Sequence, residues 1–358
     1  MRGILAALAI ALSGPAFAAS NPVYRLDHVE PLKGSTPSWD YLTFDAQHSL
    51  LFLGRRAAGV TVYDTHKGVV VGAVENAAGA NMATLVPEFG RSYTTNGDGS
   101  NTVFDLATFR AMARIKIGED ADAAFYDPST KQLAFTLGDA HSLLFMDAKT
   151  AKFAGTLQLP GHELEGVAPD GKGFLFVVER DIAKIAKVDA AKRALISEWP
   201  LANCDLPTGL GIDRVAHRLF IGCKGDHPVL TVFDYDTGRI VTQAPIGRGN
   251  DGVIYDPGSR RIYTSNGVDG NIVIFDQKGL DAYVFSQAIT TRPIARTLAL
   301  DPKTLKLYTM TAEGFADPAK TINKRAGAFY PNTYYDDTFV LLEYAPHKVT
   351  AKGAADDE

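Results

Sequence analysis

The sequence of 358 residues is short of several things, and each shortage closes off a class of function. Basic residues are not in surplus: 36 Lys and Arg face 41 Asp and Glu, for a net charge of −5. Binding through phosphate neutralisation needs clustered Lys and Arg. No such block occurs, so a nucleic-acid partner is not expected, and the mild acidity offers nothing to an anionic membrane surface. Beyond the first residues, no apolar run approaches the roughly 20 residues of a spanning helix. Catalytic signatures are missing too. Gly161-His162-Glu163 does not extend to a two-histidine zinc motif, and Asn96-Gly97-Asp98-Gly99 lacks the twelfth-position Glu of an EF-hand loop. There is no G-x-S-x-G elbow, Walker loop or C-x-x-C-H haem attachment.

What is present begins with an export signal. Arg2 gives a positive start, residues 4–12 an apolar stretch, and Ala16-Phe17-Ala18 an A-x-A cleavage site. Residues 1–18 therefore read as a secretory signal peptide, and the mature chain is expected in a bacterial periplasm. In that oxidising compartment the two cysteines, Cys204 and Cys223, are expected to form a disulfide. The alternatives are two free thiols or a two-ligand metal site.

One unit recurs along the mature chain: a short apolar strand that ends at an acid. It occurs at residues 39–45 (WDYLTFD), 82–88 (MATLVPE), 121–127 (ADAAFYD), 164–170 (LEGVAPD), 207–213 (PTGLGID), 250–256 (NDGVIYD) and 295–301 (ARTLALD). Successive acids are 43, 39, 43, 43, 43 and 45 residues apart. A period of 40 to 45 is that of a four-stranded propeller blade. Within each unit a second strand follows a turn and a third ends on another acid, as in VTVYD at 60–64 and LTVFD at 230–234. Strands rich in Val, Ile, Phe and Tyr between Gly, Asp and Asn turns make antiparallel hairpins. The expected fold is thus all-β, a seven-bladed β-propeller of four-stranded antiparallel blades spanning residues 19–347. The seventh unit is one strand short, while residues 24–29 form a strand without a unit. The N-terminal strand is expected to close the last blade and remove its open edge. Residues 348–358 read as a solvated tail.

These motifs ("RLF" or "RIY" second strands, "VxVFDxxTGR", "PIGxG") resemble the YVTN or YncE-like propellers over residues 24–344. The segment CDLPTGLGIDRVAHRLFIGC at 204–223 looks like the exported proteobacterial branch of that group. The resemblance implies the fold and brings little mechanism with it.

In a propeller, inner strands begin at one face of the central channel, and the loops between second and third strands open onto the same face. The residue five before each strand-ending acid marks the channel entry: Asp40, Ala83, Asp122, Glu165, Thr208, Asp251 and Arg296. Carboxylates crowded there must be protonated, paired or neutralised. Arg296 could neutralise them, or a divalent ion such as Ca²⁺ held by Asp40, Asp122, Glu165 and Asp251. The bland alternative is that these acids only bond loop amides in a wet channel. The neighbouring loops add Arg55, Arg180 and His227 as candidate contacts, with Arg56, Lys224, Asn96, Asp98, His141, Asn266 and Asp269. The loop at 313–337 is far longer than its equivalents and holds Phe315, Lys324, Arg325, Phe329, Tyr330, Tyr334 and Tyr335. Long loops in compact domains serve as lids or binding segments; a self-packed insertion is the alternative. The leading expectation is a monomeric, non-enzymatic propeller binding a small ligand, a cation or a periplasmic protein. Its rivals are a metal-assisted hydrolase or lyase of lactonase type and a pure scaffold.

Overall fold

The computed structural model of the protein describes residues 23–34, 38–138, 140–322 and 330–347. The export signal at 1–18, the tail at 348–358, and Lys324, Arg325 and Phe329 lie outside the described residues.

The strand-ending acids explain the local structure. Asp45, Asp127, Asp170, Asp213, Asp256 and Asp301 each accept a backbone N–H from two or three residues further on. Asp64, Asp105, Asp147, Asp189 and Asp234 do the same at the ends of third strands. An aspartate that bonds its own backbone in this way forms the turn itself. The recurring acid is therefore a turn former, and it fixes where each hairpin reverses. Between the turns, strands such as Arg218–Cys223 are buried along their whole length, because a blade has a neighbour on each side.

Six sheets of four consecutive strands follow one another, and the seventh has the order Val23–Pro31, Val340–His347, Leu307–Thr311, Leu298–Leu300. The N-terminal strand is thus the outer strand of the last blade, paired antiparallel from Val23 against His347 to Pro31 against Val340. Its Tyr24 is 4% exposed and reaches the neighbouring blade, with its hydroxyl 3.2 Å from that of Tyr263. The fold and its closure match the expectation from the repeat. Seven buried clusters fill the seams between blades, one at each seam. The seam between blades seven and one is built on Trp39, Leu51, Tyr308, Met310 and Phe339. Among the described residues, the one helical element is the 3₁₀ turn Pro87–Phe89, and no helix is long and apolar enough to cross a membrane.

That turn corrects one register. The inner strand of blade two is Ala80–Val86, and Val86 pairs with Arg91 as Asp127 pairs with Gln132 in blade three. Pro87 ends the strand, so Glu88 falls in the turn beyond it. The channel-entry residue of blade two is accordingly Asn81, not Ala83.

Candidate functional site

Seven inner strands start around one opening, and a local irregularity aims their first side chains. In blades two to six the pairing between first and second strands slips around the channel-entry residue. In blade one, Asp40 donates its N–H to the Gly54 carbonyl while the Gly54 N–H bonds the Tyr41 carbonyl. Two residues thus oppose one, which is a β-bulge, and bulges re-aim side chains at barrel rims. The bulge turns both Asp40 and Tyr41 toward the channel. Gly54 is obligatory at this point, since a Cβ there would lie 2.0 Å from the Asn81 carbonyl oxygen.

The opening is a cavity of about 980 Å³. Asp40, Asp122, Glu165, Asp251 and Arg296 all line it, as the register predicts, and Arg180 joins them from its loop. The ionic contacts are dense. Arg56 pairs with Asp40, and Lys224 with Asp251. Arg296 bridges two blades, 3.3 Å from Asp40 and 3.4 Å from Asp251, and donates to the Trp39 carbonyl at 3.0 Å. Arg180 lies 2.9 Å from Glu165 and 3.4 Å from Glu163. Arg296, one of the two neutralisers considered from sequence, is thus in contact with two of these acids, and Arg56, Arg180 and Lys224 serve alongside it. Among the described residues, no group of three or more His, Cys, Asp or Glu is arranged to hold a metal ion.

Asp122 is the exception. No cation lies within ion-pair distance of it among the described residues. Burial, then the charges of Asp40 and Glu165, push its carboxyl up to about 8. It therefore carries a proton at neutral pH. Burial also raises Glu165, against the pull of Lys224 and Arg180. Burial would raise Asp251 as well, but Lys224 and Arg296 outweigh it and hold that carboxyl below its ordinary value. The Tyr41 phenol is raised by burial and by all four acids, Asp122 first. It lines both this cavity and a second, more apolar one of about 500 Å³ further down the channel; the other residue common to both is Asp251.

Four of the candidate contacts are placed elsewhere. Arg55 donates to the Leu32 and Lys33 carbonyls and caps the Phe339 ring at 4.8 Å, so it ties the N-terminal segment to the last blade. His227 is exposed and does not line the cavity. Tyr334 packs on Trp39 at 5.2 Å, and Tyr335, 52% exposed, stacks on Phe315 at 5.4 Å. Within the long loop, Gly314–Phe315 pairs with Thr333–Tyr334 as a two-stranded ribbon, which sets Tyr335 against the loop's own Phe315 and Tyr334 against the seam at Trp39. Among the loop's described residues, Tyr330 lines the cavity.

The sequence register missed Tyr41, Asp181, Asp205, Asp226 and Arg248, all of which line the cavity. Asp205 and Arg248 lie in connections from a fourth strand to the next blade. Those loops open on the same face and could have been counted. The Cys204–Cys223 disulfide is present, with Cα atoms 5.1 Å apart. It joins the two loops that carry Asp205 and Lys224, and the Gly225 N–H bonds the Asp205 carbonyl at 3.1 Å. A side chain at Gly225 would strike Asp205, at 2.5 Å from its Cβ. The bridge thus holds one wall of the cavity together.

Comparison with known proteins bears on the fold. No family model matches the chain, and no curated protein matches it. Among solved structures it is similar to a chain of Kuenenia stuttgartiensis hydrazine synthase, at 14% identity and a TM-score of 0.66, covering 78% of this chain and 94% of that one. A chain from a mitotic checkpoint complex covers 96% of this chain and 99% of its own length, with 14% identity and a TM-score of 0.70. At that identity the likeness is one of fold alone.

Proposed function

We propose that the protein is an exported binding propeller that takes a small charged ligand at its channel mouth. One observation carries the reading: inner strands from five blades deliver ionisable side chains into one cavity large enough for a metabolite. Burying so many charges costs free energy unless each is paired, and a cavity that keeps Asp122 unpaired at its wall is built for more than support. The basic start, apolar stretch and A-x-A site at 1–18 support export, as does the disulfide. The YVTN or YncE-like motifs support a place in that exported group.

A panel of charged and neutral metabolites, read by thermal unfolding, tests this. A ligand at 100 times its Kd stabilises by about 2.7 kcal/mol. The shift is expected in the native protein, weakened by Asp122→Asn, and unchanged by His227→Ala or Tyr335→Ala. A shift that all three variants keep, or none with any compound, contradicts the reading. A hydrolase or lyase is the second reading, favoured by the proton that Asp122 holds near neutral pH, the property of a general acid. It predicts turnover of a lactone or ester panel that Asp122→Asn abolishes.

A further inference from the structure

We propose that the ligand is a small organic cation whose ammonium group sits on the Asp122 carboxylate beside Tyr41; this rests on reading the mouth as a ligand site. The charges around the cavity point in one direction. Its cations are Arg56, Arg180, Lys224, Arg248 and Arg296, and every one already has a carboxylate partner. Its acids are more numerous. Asp122, Asp181, Asp205 and Asp226 have no cation partner among the described residues. Asp181 is satisfied by the N–H groups of His162 and Glu163, and Asp205 and Asp226 are exposed. Asp122 is the deep one.

An anion entering this cavity finds every cation already beside a carboxylate, and would have to share or take one against the repulsion of Asp40, Glu165 and Asp251, which is unfavourable. A cation meets a vacant carboxyl instead. A bare Ca²⁺ or Mg²⁺ needs six or more oxygen ligands in a close shell, and the described side chains are not grouped for a metal ion. An unpaired carboxylate with Tyr41 beside it suits a polyatomic ammonium, which is also drawn to aromatic faces. The cavity leaves room for the carbon skeleton behind it.

Such binding is coupled to a proton. At pH 7 the Asp122 carboxyl is protonated, held so by burial, then by Asp40 and Glu165 with Asp120 behind them, against the pull of Arg56. An ammonium stabilises the carboxylate, so the O–H bond breaks and the proton leaves to solvent while the amine keeps its own. Affinity then rises with pH, approaching tenfold per unit below Asp122's own titration and levelling off above about 8.

The test is titration calorimetry on the mature protein with three probes of one carbon length: putrescine, 1,4-butanediol and succinate. Running each in phosphate and in Tris counts the protons exchanged. Putrescine alone is expected to bind, releasing close to one proton at pH 7 and binding nearly tenfold tighter at pH 7 than at pH 6. Asp122→Asn is expected to lose the proton release and about tenfold or more in affinity, while melting like the native protein at pH 6. Putrescine binding that is indifferent to pH and to Asp122→Asn overturns the inference and leaves the mouth a ligand site. Succinate binding in its place does the same. No response to any of the three overturns the inference and the reading it rests on.

Discussion

Asp122 and Arg296 hold opposite ends of the site's charge balance, and substitution should affect them differently. A carboxyl held at about 8 in the folded chain and near 3.8 in the unfolded one binds a proton that unfolding releases. Its stabilising share is complete below pH 4 and is lost as pH rises toward 8. Glu179, pushed to about 7 by burial and then by Glu198, acts in the same direction. Chemical denaturation as a function of pH should therefore show stability falling from about pH 4 to pH 8. Asp122→Asn should flatten that fall in part, the remainder belonging to Glu179, Glu165 and Asp40, all raised by burial. Arg296 is the reverse case, since two buried acids depend on it. Arg296→Ala takes a partner from both acids, which keep Arg56 and Lys224, and should cost more than Lys224→Ala, which takes one from Asp251 alone, both falling short of the roughly 3–5 kcal/mol of an unpaired buried charge. Equal losses would show that Arg296 does not bridge the blades. Residues of this kind were legible in the sequence wherever the repeat register held, as for Asp40, Asp122, Glu165, Asp251 and Arg296. Tyr41 was not, for a physical reason: strict alternation points a residue's neighbour away from the channel, and only the bulge opposite Gly54 turns both inward.

Among the elements, the disulfide-linked wall and the long ribbon behave differently. The bridge closes a loop with a separation of 19 residues, for which the chain-entropy model gives about 3 kcal/mol. A Cys204→Ser, Cys223→Ser double variant should lose about that much in denaturant titration, and ligand affinity should fall with it because Asp205 and Lys224 are held by those loops. A loss of stability with affinity intact would confine the bridge to a structural role. Cysteine count and export logic were enough to foresee this pairing. The ribbon was harder to read. Its length signalled an insertion over the mouth, but composition could not show that Tyr334 and Tyr335 pair with Trp39 and Phe315 rather than face the cavity. Pro87 likewise moved an acid out of register in blade two, a shift that a spacing of 39 between units had already hinted at.

For the whole molecule, the closed ring is what gathers acids far apart in the chain into one opening, and the ring closes through its first strand. Tyr24 is the outer strand's deepest side chain, bonded to the Leu305 carbonyl at 2.9 Å and packed on Tyr263. Tyr24→Ala should cost about 3–5 kcal/mol, and native-state hydrogen exchange should then show the last blade opening first. Uniform loosening of all blades would place the weak point elsewhere. The architecture was readable from period alone, because each blade repeats one hairpin grammar of apolar strand and turn-forming aspartate. The ligand was not, since it is decided by which of the gathered charges lack a partner, a property of the closed ring and not of any blade.

The most direct measurement is a crystal structure of the mature protein soaked with putrescine near pH 8. The account predicts an amine nitrogen about 2.7–3.2 Å from the Asp122 carboxylate, beside Tyr41, with the Arg296 bridge to Asp40 and Asp251 intact. Amine density at some other surface with the mouth vacant, or an anion seated on Lys224 and Arg296 with their carboxylate pairs broken, would contradict it.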